Sequence, residues 1–162
     1  MNRSVKLKAQ LEIVWWIFTA FAVALILFPI WRVFDHYPFM RPNLLFIIGF
    51  ITYTRYTFLL KHTWLANFKY LKGALVFVSI PVIFLTIEAI HGLQVFLDEQ
   101  GQEALFTNEF LREPLSPTRQ RSMLIYIRRE FFITGIGLVI AAAAFPLRML
   151  ISIWRQINSN RV

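Results

Sequence analysis

Four apolar blocks, each close to 20 residues long and bounded by charged or proline-containing segments, set the pattern of this chain. The first covers 13–30, "IVWWIFTAFAVALILFPI", and the second 44–60. The third covers 74–97, "ALVFVSIPVIFLTIEAIHGLQVFL", and the fourth 131–154. A helix needs about 20 apolar residues to cross ~30 Å of hydrocarbon. It also satisfies its own backbone where no water is at hand, so each block predicts a transmembrane helix. The expected fold is an all-α integral membrane protein, a single domain over 1–162 built as a bundle of four transmembrane helices.

The intervening segments differ in kind. "KHTWLANFKYLKG", 61–73, mixes Trp64, Phe68 and Tyr70 with three lysines and is expected to lie along the membrane surface. Segment 98–130 is the one sizeable hydrophilic stretch, an extramembrane, partly helical loop between helices 3 and 4. It opens acidic and is divided by Pro114 and Pro117. Ser116 as N-cap and Pro117 at the first helical position then predict a helix that runs on into the fourth span. Its length would be about 40 residues, or ~60 Å at 1.5 Å per residue.

Composition narrows the class. Of 162 residues, 57% are hydrophobic and 16% charged, too few polar groups to cover a soluble domain of this size. The net charge of +8 would suggest nucleic acid on a soluble chain. Here the basic residues flank the spans and no binding module is visible, so nucleic acid is not an expected partner. The absence of cysteine excludes disulfides, thiol catalysis, iron–sulfur ligation and Cys-based zinc sites.

Orientation rests on the flanks. "MNRSVKLK" resembles the start of a signal peptide and Ala20-Phe21-Ala22 a cleavage site. The apolar run continues unbroken to Pro29, which favours a retained anchor. All five lysines (Lys6, Lys8, Lys61, Lys69, Lys72) fall before the first span or between the second and third. The arginines of 98–130 pull the other way. The reading favours both termini in the cytoplasm, in the inner membrane of a bacterium.

Two groups of intramembrane polar residues are candidate sites. Arg55 stands inside the second block, and Thr52, Arg55 and Tyr56 share a helix face. A central charge costs at least ~2.5 kcal/mol, so Arg55 should snorkel or find a carboxylate. Glu12, at the start of the first span, and Arg148, after Pro146 in the fourth, fall at a similar depth. Glu12, Arg55 and Arg148 are therefore expected to cluster, either to fix helix register or to hold an anion or lipid head. In the third span Glu88, His91 and Gln94 follow at steps of three. Arg32, Arg128 or Arg129 are the expected partners of Glu88. The group could serve structural pairing, proton or ion coupling, or metal ligation with His36.

Small residues at i, i+4 let helix backbones approach closely: Ala20 and Ala24 in the first span, Gly137 and Ala141 with Gly135 in the fourth. They suit packing within the bundle or contact with a second protein. No nucleophile elbow, metalloprotease motif or phosphate-binding glycine loop occurs, and neither an enzyme nor a cofactor is expected. Two functions remain. One is a non-catalytic accessory, assembly or regulatory subunit of a larger membrane complex, with 98–130 as its outward handle. The other is a small oligomeric ion- or proton-coupled transporter or channel using Glu88 and His91. The expected partners are the bilayer and another membrane protein or further copies of the chain.

Overall fold

The computed structural model describes residues 3–159, with side-chain surroundings from Leu7 to Asn158 except Asn67. The lysine-bearing start, Lys6 included, lies outside the described side chains. Four helices carry the chain: α1 (Arg3–Val33), α2 (Met40–Phe58), α3 (Lys69–Glu99) and α4 (Pro117–Ser159). Short 3-10 turns fill Leu60–His62, Trp64–Asn67 and Gln102–Phe106.

Three helical stretches, Leu7–Val33, Lys69–Glu99 and Pro117–Asn158, are long and apolar enough to cross a membrane. The fourth expected span differs. α2 has 19 residues, ~28 Å, but Arg41, Pro42 and Asn43 open it and the polar run Thr52–Thr57 closes it. Its uninterrupted apolar stretch is therefore only 44–51. Outward faces of the long helices are apolar: Phe21, Leu25, Phe77, Phe84, Ile140 and Trp154 are each more than half exposed. Such faces suit contact with hydrocarbon.

Segment 98–130 is less of a loop than its composition suggests. α3 continues to Glu99, and Gly101 turns the chain at φ +83°, a left-handed conformation that glycine adopts without strain. Leu111 then pairs antiparallel with Phe34, with Arg112 N–H donating to Val33 O at 3.1 Å and Asp35 N–H to Phe110 O at 2.9 Å. Leu105 and Leu111 are buried in the same cluster as Phe34 and Tyr37. α4 begins at Pro117, as the proline at the first position predicts, and runs 43 residues, ~64 Å, without interruption. Only 100–116 lies outside α-helix, folded as a cap over one end of the bundle.

α4 is the element against which the others pack. α2 and α3 both lie along it and barely touch each other. The glycines of α4 explain how. A Cβ on Gly135 would stand 2.8 Å from Ile90 Cδ1 of α3 and 2.9 Å from Phe46 Cε2 of α2; on Gly137 it would stand 2.9 Å from the Phe50 ring. Ala141 and Ala142 continue the buried seam. On α3 the buried positions Lys72, Ser79, Thr86 and Leu93 recur every seven residues, the spacing of a helix packed along a neighbour. Ser79 and Thr86 hydroxyls donate to their own i−4 carbonyls, so the seam leaves neither donor unmet.

The other small-residue pair does not share this role. α1 packs inward through Thr19, Val23, Leu27 and Ile30. Ala20 and Ala24 lie about 100° further round the helix and are exposed.

The seam makes a prediction. Gly135→Leu should destabilise the fold by about 1–3 kcal/mol through overpacking. Gly92→Ala, where a Cβ meets nothing within 4 Å, should be neutral or stabilising by up to about 1 kcal/mol. Thermal unfolding in mild detergent separates them, and equal effects would count against α4 as the packing axis.

Candidate functional site

Buried polar groups gather at the two ends of the bundle. One end carries the start of α1, the end of α2, the start of α3 and the end of α4. The other carries the cap.

At the first end Arg55, 8% exposed, turns from the last turn of α2 toward α1. Its Nη2 lies 2.8 Å from Glu12 Oε1. Glu12 and Trp15, three residues apart on α1, both face it, and the guanidinium lies 5.3 Å from the centroids of Trp15 and Tyr56. Trp64 Nε1–H in turn donates to Tyr56 Oη at 3.2 Å. The carboxylate meets the guanidinium off the hydrogen-bonding line, so both Glu12 oxygens and Arg55 Nε are buried without hydrogen-bond partners. The charge is thus compensated by proximity and by two aromatic faces.

Arg148, expected in the same cluster, does a different job. Its Nε–H donates to Thr57 O at 3.1 Å. Thr57 lies in the last turn of α2, where carbonyls lack intrahelical donors, and the arginine caps one of them.

Lys72 belongs to this end as well, and its sequence context suggested a surface residue. It is 1% exposed. Its Nζ donates to Ala66 O at 2.6 Å, Ser152 Oγ at 3.0 Å and Gln156 Oε1 at 3.3 Å, which uses all three of its protons. Its place in the seven-residue spacing Lys72–Ser79–Thr86 gains meaning only once α3 is seen to pack along α4.

At the capped end a second cluster escaped the sequence reading. Asn43, fully buried in the first turn of α2, donates from Nδ2 to Glu130 Oε2 at 2.7 Å. Glu130 stands on α4 immediately before Phe131, whose ring lies 4.8 Å from that of Phe46. Tyr37 is buried nearby. Burial first, then the charge of Glu130, pushes the Tyr37 phenol above the usual tyrosine range. Tyr37 Oη, Asn43 Oδ1 and Glu130 Oε1 are buried without hydrogen-bond partners. Glu130 read as a loop acid because only the unbroken start of α4 brings it under the cap.

The third-span group is arranged otherwise. Glu88, His91 and Gln94 are all exposed along α3. Glu88 lies two residues from the seam position Thr86, about 200° round the helix, and so points away from α4. Among the described residues the ion pairs are Glu12–Arg55 and Asp35–Arg112, so Glu88 is joined to none of Arg32, Arg128 or Arg129. Nor do the described residues hold any group of three His, Cys, Asp or Glu side chains suited to a metal; His36 and His91 are both exposed.

Comparison of the chain with protein families, curated proteins and solved structures finds no match. Functional argument therefore rests on the chemistry of these groups.

Two predictions follow from the end clusters. Glu12→Met or Arg55→Met alone should cost about 3 kcal/mol by stranding a buried charge, while the double replacement recovers most of it. Denaturation of the four proteins in detergent checks this, and additive losses would contradict the pairing. At the other end Asn43→Leu should destabilise by about 1–3 kcal/mol, whereas Tyr37→Phe should not. Because the unfolded phenol releases its proton near pH ~10 and the folded one above it, stability should fall as pH rises past that value. Tyr37→Phe should make that fall shallower.

Proposed function

We propose that the chain is a non-catalytic membrane subunit: a four-helix bundle, α2 crossing among its neighbours, that associates with another membrane protein through the outward face of α3. The observation that carries the reading is the exposure of Glu88 and His91 with no ion-pair partner among the described residues. Glu88 lies about 16 Å along α3 from its end at Glu99, well inside an apolar helix. A carboxyl group there is costly against lipid and normally faces protein. Its own bundle does not supply that protein surface, so a partner does.

Two features support association. Between α2 and α3 an apolar groove of about 560 Å³ runs beside Leu45, Gly49, Leu85 and Ala89. Ala20 and Ala24 flank a shallower one with Trp16 and Ile48, residues shared by both grooves. Close approach of a foreign helix needs small residues of this kind. The cap, by contrast, is committed to its own core through Leu105 and Leu111, which makes it a closure of the bundle rather than a free handle. In this reading both termini are cytoplasmic and the membrane is a bacterial inner membrane, with the lysines of 61–73 at the inner surface.

The pairing of a carboxyl and an imidazole on one exposed face also suits the second reading, a small oligomeric proton- or ion-coupled transporter with Glu88 and His91 between copies. Gentle purification followed by native mass measurement decides between them. A stoichiometric foreign protein, lost on Glu88→Leu with His91→Leu while the bundle stays folded, is the expected result. Multiples of 19.1 kDa alone, with proton flux in liposomes abolished by Glu88→Gln, would favour transport instead. A wild-type monomer would overturn both readings.

A further inference from the structure

A large cleft lies away from all these groups, where α1 ends beneath the cap. It encloses about 830 Å³ between the last turns of α1, the chain 112–115 and the first turns of α4. That is the size of a small-molecule site and larger than one phosphate needs. Tyr126 Oη–H donates to Ile26 O at 2.6 Å and ties α4 to α1 at its base. The floor is apolar, from Pro29, Val33, Leu115 and Met123.

The rim is charged. Arg32, Arg112 and Arg119 surround the cleft against a single acid, Glu113. Arg32 and Arg119 have no ion-pair partner among the described residues. Arg112 meets Asp35 only at 3.8 Å, with both side chains more than half exposed, a contact worth little in water. Three guanidinium groups are thus free to take phosphate oxygens. Depth selects the kind of phosphate. Trp31 and Arg32 lie at the end of an apolar helix where headgroups meet water, and Pro29, about one turn earlier on α1, lies from that level toward the hydrocarbon. A ligand that fills the cleft therefore has a phosphate above and acyl methylenes below.

We propose that this cleft binds one anionic glycerophospholipid, its phosphate held by Arg32, Arg112 and Arg119 and the start of its acyl chains laid on the Pro29–Met123 floor. The net positive rim selects anionic over zwitterionic headgroups. The bound lipid links α1, the cap and α4, and this proposal stands whether or not Glu88 engages a partner.

The full chain, delipidated in detergent, is titrated with phosphatidylglycerol, phosphatidylcholine or water-soluble glycerol phosphate, and retained ligand is read by native mass spectrometry. One phosphatidylglycerol should be kept at least about tenfold more tightly than phosphatidylcholine. Replacing Arg32, Arg112 and Arg119 together with Gln should abolish that preference. Arg128→Gln with Arg129→Gln, exposed arginines outside the cleft, should leave it intact. Ser122→Trp, which fills the cleft and keeps its charges, should weaken lipid retention at least about tenfold. Equal retention of both lipids, equal loss in both arginine variants, an unaffected Ser122→Trp, or glycerol phosphate competing as well as lipid would each overturn the proposal.

Discussion

The close packing of α2 and α3 against the glycine and alanine seam of α4 governs the arrangement of the remaining parts. Hydrocarbon offers no hydrophobic drive for one apolar helix to leave lipid for another, so association depends on fit. Gly135 accepts both Ile90 and Phe46, and Gly137 accepts the Phe50 ring. Because α4 receives both neighbours on one seam, α2 and α3 stand apart and leave a groove between them. The same constraint fixes rotation: with Lys72, Ser79, Thr86 and Leu93 turned inward, Glu88 and His91 must turn outward.

Polar closure at the two ends completes what packing begins. At one end Arg55 takes Glu12, Arg148 takes an orphan carbonyl of α2, and Lys72 takes a carbonyl and two side chains. At the other Asn43 meets Glu130 beneath the cap. Hydrogen bonding is uneven within the first cluster as well as between the two. Lys72 spends every donor, whereas the Tyr37, Asn43 and Glu130 oxygens and the Glu12 carboxylate retain unmet capacity. Buried groups of that kind are costly, so a replacement that strands a partner, as at Asn43 or Glu12, destabilises, whereas one that removes an unmet atom, as at Tyr37, does not.

The proposed protein contact and the proposed lipid site both rest on the outward surface. Its features are a polar face on α3, exposed small residues on α1 and an arginine-rimmed cleft under the cap. The polar face of α3 lies on a different helix from those that line the cleft, so the proposed protein contact and the proposed lipid site do not compete for the same residues.

The three long helices were legible in the sequence, because apolar runs near 20 residues and a proline at the first helical turn are local signals; α2 was legible as a helix, but its apolar run is too short to mark it as a span. The Glu12–Arg55 juxtaposition was legible too, since one residue near the start and one near the end of adjacent antiparallel helices lie at the same level. Which side of each helix faces inward was not. Ala20 and Gly137 are equivalent as small residues in a string, yet one lies outside and the other against Phe50. Lys72 read as interfacial and Glu130 as a loop acid until the partners from α4 and α2 were in place. Depth follows from distance along one helix, which the sequence contains. Facing depends on how several helices are rotated against one another, and that is decided only by their simultaneous packing.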